Sequence, residues 1–120
     1  MIDLKVHVGG KLTDVRDRAL AAVRRAEAGE EVRERHLTFL SFEQFRSTLT
    51  PKRLDLLRHL HRHPAAHIKA LAAALGRDYK RVHEDVRALE DAGLIERSPR
   101  GELTAGFDEM TIETRIALGS

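Results

Sequence analysis

Residues 76–104 read GRDYKRVHEDVRALEDAGLIERSPRGELT. Asp78 is a good helix N-cap, because its carboxylate accepts from the unpaired N–H groups of a first turn, and Tyr79, Val82, Val86 and Leu89 follow at the spacing of one helical face. Gly93 closes that helix. Leu94 to Arg97 and Glu102 to Thr104 then flank Ser98-Pro99-Arg100-Gly101, with proline second and glycine fourth as a type I turn favours, so a short β-hairpin is expected.

Upstream of this stretch lie two more helix signatures. Thr50-Pro51 is an N-cap followed by proline at the first helical position; Leu54, Leu57 and Leu60 follow, and Pro64 ends the segment. Ile68, Leu71, Ala72 and Leu75 give the i, i+3, i+4, i+7 pattern, closed by Gly76. Helix, short break, helix, longer helix, hairpin is the order of a winged helix-turn-helix, whose third helix enters the DNA major groove.

Towards the N-terminus, Ile2, Leu4, Val6 and Val8 alternate with polar residues as in a half-buried strand that ends at Gly9-Gly10. Thr13 is expected to cap a helix to about Ala28, with Val15, Ala19, Ala22, Val23 and Ala26 on one face. Val32, Leu37 and Phe39 point to a second strand ending near Leu40, and Ser41 with Gln44 reads as a capping box for a short helix that gathers Phe42, Phe45 and Leu49. At the other end, alternation at Ile112, Thr114, Ile116 and Leu118 predicts a last strand, with the first strand, a second subunit or another protein as its partner.

Ala70-Leu71-Ala72-Ala73-Ala74-Leu75-Gly76 and Leu89-Glu90-Asp91-Ala92-Gly93-Leu94-Ile95 resemble the scaffold helix and the "LExxGLI" junction of winged-helix transcriptional regulators of the MarR/ArsR type. Leu49-Thr50-Pro51-Lys52-Arg53-Leu54 together with Arg77-Asp78-Tyr79-Lys80-Arg81-Val82-His83 is similar to a narrower group of small prokaryotic regulators, some of which look like antitoxins. His67 departs from that pattern, standing where Ser or Thr usually caps the scaffold helix. The resemblance implies double-stranded DNA as a partner.

With the apolar stripe turned to the core, Lys80, Glu84 and Arg87 point outward, Arg81 sits beside them and Arg77 just before the cap. The N-terminal residues of such a helix reach base edges and phosphates, and Glu84 can accept from cytosine N4. Arg97 and Arg100 mark the wing, while Lys52 and Arg53, at the start of the first helix of the trio, are candidates for backbone phosphate. The competing reading pairs Lys80 with Glu84, Arg81 with Asp85 and Arg87 with Asp91 on a solvated helix, each pair worth about 0.2–0.5 kcal/mol.

Composition limits the alternatives. The 120 residues suit one domain or a small domain with an appendage, and 42% hydrophobic against 33% charged residues can support a core. Aromatics at 4% and no tryptophan favour an aliphatic helical core over a large β-sandwich. Without cysteine there are no disulfides, thiol nucleophiles or zinc ribbons. The longest apolar run, Ala70–Leu75, is too short for a membrane helix, so no membrane partner and a cytoplasmic location are expected. The net charge of +2 divides into +1 over residues 1–49, +4 over 50–101 and −3 over 102–120.

Seven histidines raise a metal site, with His59 and His63 at i, i+4, but Leu60 stands where a zinc hydrolase needs glutamate and Pro64 ends the helix, so no metal site and no cofactor are expected. Gly9-Gly10-Lys11 lacks the earlier glycine of a phosphate loop at Lys5 and its hydroxyl at Leu12. No base and carboxylate accompany Thr13, so no catalytic residue is assigned and the chain does not read as an enzyme.

The expectation is an α+β chain: a strand-helix-strand extension over 1–40 that mediates dimerisation, a winged helix-turn-helix over 41–107 and a C-terminal strand over 108–120. Its function reads as a DNA-binding transcriptional regulator, a homodimeric repressor. The alternatives are an antitoxin that sequesters a toxin protein and autoregulates its operon, and a metal- or ligand-responsive sensor.

Overall fold

The computed structural model describes residues 2–9, 12–29, 34–116 and 118–119. The chain is mixed α and β: β1 (Asp3–Val8), α1 (Leu12–Glu27), β2 (Glu34–Phe39), α2 (Phe42–Thr48), α3 (Pro51–Arg62), α4 (Ile68–Leu75), α5 (Tyr79–Asp91), β3 (Glu96–Arg97), β4 (Leu103–Thr104) and β5 (Glu109–Thr114). Two compact units result, Met1–Phe45 with Phe107–Ser120, and Arg46–Gly106. Among the described residues no helix is long and apolar enough to cross a membrane.

The first unit is a three-stranded sheet in the order β2-β1-β5. Both pairings are parallel, so α1 serves as the crossover between β1 and β2. The last strand therefore pairs with the first strand of its own chain. Val6 stands between Leu37 and Ile112, and Val8 between Phe39 and Thr114. Leu4, Val6, Val8 and Phe39 are buried on this apolar face, where Phe45 of α2 meets Phe39 edge-on with ring centres 5.6 Å apart. Asp108 fastens the start of β5 to the start of β1, its carboxylate accepting from Ile2 N at 2.8 Å and its own N–H donating to Ile2 O at 2.9 Å.

The opposite face of the sheet is polar. His7 is buried there; its Nε2 lies 2.9 Å from Nδ1 of His36, and the two rings stack at 5.2 Å. Glu113 stands 3.4 Å from the outer nitrogen of His7, and Glu34 3.5 Å from that of His36. Over this face lies α1, through Arg18, which donates to Thr38 Oγ1 at 3.2 Å, and Arg25, 3.6 Å from Glu34.

That placement sets the orientation of α1. Its sheet-ward residues are Arg18, Ala22 and Arg25, while Ala19, Val23 and Ala26 are exposed, because the face beneath the helix offers acceptors rather than apolar surface. The helix also begins at Leu12, so Thr13 lies inside it. Gly10, Lys11, Val32 and the side chain of Val15 lie outside the described residues.

The second unit packs α3, α4 and α5 around Leu56, Leu57, Leu60, Leu71, Val82, Val86 and Leu89, with Leu94, Ile95 and Leu103 of the hairpin segment closing the core. Leu56 is buried while Leu54, expected in the core, is only half-buried. Strands β3 and β4 are antiparallel, and Leu103 also exchanges both backbone hydrogen bonds with Ala65, at 3.0 and 2.7 Å.

Candidate nucleic-acid interface

Local chemistry sets each helix boundary around this surface. Thr50 Oγ1 accepts from Arg53 N at 3.3 Å ahead of Pro51, and Asp78 Oδ2 accepts from Arg81 N at 3.3 Å. His67 caps α4 through Nδ1, which accepts from Ala70 N at 3.1 Å, so an imidazole does the work for which a hydroxyl is the usual choice. Gly76 ends α4 in the left-handed region at φ 63°, where a Cβ would be strained, and the chain turns directly into the Asp78 cap. In the hairpin, Gly101 takes φ 90° and its N–H donates to Ser98 O at 2.8 Å.

These boundaries leave one face of α5 in solvent. Lys80, Arg81 and Glu84 are exposed, and among the described residues their side chains make no ion pair or hydrogen bond; the Lys80–Glu84 and Arg81–Asp85 pairs of the competing reading are not formed. Arg87 is exposed further along the helix. Lys52 and Arg100, at the first turn of α3 and in the hairpin turn, are exposed too.

The remaining candidates are committed internally. Asp85, with its side chain 14% exposed, receives Arg77 Nη2 on Oδ2 at 2.7 Å and Arg53 Nε on Oδ1 at 3.0 Å. Arg53 further donates through Nη1 to the carbonyls of Ser47 and Thr48, at 3.0 and 3.1 Å. One carboxylate thus joins the start of α3, the α4–α5 turn and the middle of α5. Arg53 and Arg77 hold the three helices in register through this carboxylate.

Arg97 occupies a middle position. It makes a two-pronged contact with Glu90, and the hydrogen bond from its guanidinium, ahead of the charges of Arg97 and Arg87, holds that carboxyl below its ordinary range. Arg87, Glu90 and Arg97 line an open cleft of about 360 Å³ with Ile68, His83 and Asp91, between α5 and the first hairpin strand.

Residues 48–112, more than half of the sequence, match the HVO_A0114 family. The chain belongs to that family. No curated protein and no solved structure matches it. The segment shared with the HVO_A0114 family takes in α3, α4, α5, the hairpin and the first part of β5, and leaves out β1, α1, β2 and all of α2 but Thr48.

In this HVO_A0114 chain one further side chain joins the exposed surface. Tyr79, expected in the apolar stripe, is 52% exposed, because it precedes Val82 by a full turn at the helix start and overhangs the core. Its ring lies 5.9 Å from that of His83. An aromatic next to the N-cap was the available signal, since first-turn residues have fewer neighbours than mid-helix ones. Of the histidines, His61 bonds the Ala105 carbonyl at 2.7 Å, and the rings of His59 and His63 lie 5.2 Å apart; among the described residues no three histidine or carboxylate side chains converge as metal ligands would.

Proposed function

We propose that Arg46–Gly106 is a winged helix-turn-helix that binds double-stranded DNA, and that the protein is a dimeric transcriptional repressor. In this reading α5 enters the major groove, Lys80, Arg81 and Glu84 meet base edges and phosphates, and the β3–β4 turn brings Arg100 to the flanking backbone. The observation that carries the reading is Lys80 and Arg81, unpaired among the described residues, on the first turn of a helix whose opposite face, Val82, Val86 and Leu89, is fully buried. Support also comes from Asp85, which fixes α5 against α3 and α4 so that its outer face is presented without rearrangement.

The test is a binding series on the DNA upstream of the protein's own gene and on a scrambled duplex. Arg81→Ala should weaken specific binding by about 1–3 kcal/mol while Arg100→Ala lowers affinity on both duplexes and flattens the salt dependence. A Lys80→Ala, Arg81→Ala, Arg100→Ala triple variant that keeps full affinity would overturn the assignment.

A further inference from the structure

With Arg18 and Arg25 turned to the sheet, the outer side of α1 carries Arg16, Leu20, Val23 and Glu27 in a single exposed line. Their spacing of four, three and four residues is that of a seam between two packed helices. Leu20 and Val23 are 43% and 53% exposed. Arg16 and Glu27 make no ion pair among the described residues.

The line is complementary to its own reverse. If a second α1 lies antiparallel across it, with the two-fold axis passing midway between Leu20 and Val23, each Leu20 faces the other helix's Val23 and each Arg16 faces the other's Glu27. An isologous contact requires such self-complementarity: whatever residue i meets, that residue must meet i in return. A parallel arrangement would instead place Arg16 against Arg16 and Glu27 against Glu27.

We propose that α1 is a self-association surface whose occupant is a second copy of this chain, paired antiparallel through Arg16, Leu20, Val23 and Glu27. It deepens the dimeric reading above and rests on that reading for its role on DNA. The apolar centre supplies attraction and the two Arg16–Glu27 pairs set direction and register. Four residues per helix form a contact smaller than a standard interface, so association of the free chain is weak and becomes effective when two half-sites hold two copies side by side.

The experiment is sedimentation equilibrium on the full chain without DNA, at concentrations up to about 1 mM, with circular dichroism to verify folding. Wild type should dimerise. Arg16→Glu and Glu27→Arg should each weaken self-association by about tenfold, since each replaces two attractive pairs by two repulsive ones. An equimolar mixture of the two variants should recover wild-type association as a heterodimer, because every seam charge then meets its opposite. A wild-type chain that stays monomeric, charge variants that dimerise unchanged, or a mixture that fails to recover overturns the proposal. Binding of the Arg16→Glu variant to a single DNA half-site is measured in parallel: retention with loss of dimer supports the separate roles of α1 and α5, whereas loss of half-site binding in wild type sinks the DNA reading and leaves the α1 result to stand on its own.

Discussion

Glu90 grips Arg97 with both carboxylate oxygens, at 2.9 Å to Nε and 3.1 Å to Nη2, and so ties the last turn of α5 to the first strand of the hairpin. The pair is partly exposed, which limits its worth to about 0.5–1 kcal/mol. Glu90→Gln should cost that much in a urea titration at neutral pH. Because the Glu90 carboxyl is held below its ordinary value in the folded chain, its contribution is fully present above the unfolded value and is lost as pH falls through the folded one. The difference between wild type and Glu90→Gln should therefore shrink in acid; a gap that stays constant with pH would contradict the pairing.

Asp85 should be far more costly to remove. Asp85→Asn leaves two guanidinium groups, with side chains 19% and 22% exposed, without their charge partner. Loss of one member of a buried pair costs about 3–5 kcal/mol, and the residual exposure here places the expectation at about 2–4 kcal/mol. Denaturant midpoints measure it. A loss under about 0.5 kcal/mol, the scale of surface substitutions, would show that the node is not structural.

Arg77→Ala follows from the same node. It should lower stability by about 1–3 kcal/mol, as expected for a half-buried charged hydrogen bond. Half-site affinity measured well below the melting temperature should change little. The opposite pattern, intact stability with lost affinity, would return Arg77 to the DNA surface.

The contrast between Arg77 and Arg81 marks what the sequence disclosed. Helix limits were legible because caps act over three or four residues: Thr50, Asp78, Gly76 and Gly93 each do their work beside their own position. The Asp85 node joins residues 32 and 8 positions away, and nothing local distinguishes an arginine bound for a distant carboxylate from one bound for solvent. The face of α1 was hidden for a related reason. Its apolar residues follow helical spacing, but which side meets the sheet was decided by Thr38 and Glu34 on another strand.

His7 should make the sheet unit sensitive to acid. Burial first, then the charges of Arg18 and His36, lower its pKa from the ordinary 6.5, while Glu113 pulls the other way. Lys5, Glu34 and Arg25 complete the charged surroundings of the stacked pair. A histidine held neutral by the fold contributes stability that is present above its unfolded value and lost as pH falls through the folded one. Protection factors of the β1 amides, which allow for the intrinsic slowing of exchange in acid, should fall as pH is lowered from about 8 to about 5, and His7→Gln should flatten that trend. Protection that rises in acid would reverse the sign and refute the account.

His67 offers a small gain. Its ring nitrogen is a serviceable cap, but an aspartate there would add a charge favourable to the N-terminus of α4. His67→Asp should raise the unfolding free energy by about 0.5–1 kcal/mol and His67→Ala lower it by a similar amount, both read from denaturant midpoints. Identical midpoints for all three would mean that the cap contributes nothing.

The position of β1 between β2 and β5 also governs how the molecule can be made. One edge of β1 is answered by the strand that follows α1, the other by residues translated about seventy positions after β2 ends. At roughly 5–20 residues per second, a nascent chain spends on the order of seconds with that second edge bare. Arg46–Gly106, whose contacts are contiguous in sequence, is synthesised during this delay and is complete just before β5 begins. The rate of translation through those sixty residues therefore sets how long a chaperone, or a neighbouring nascent copy on the same polysome, has to capture the unpaired strand.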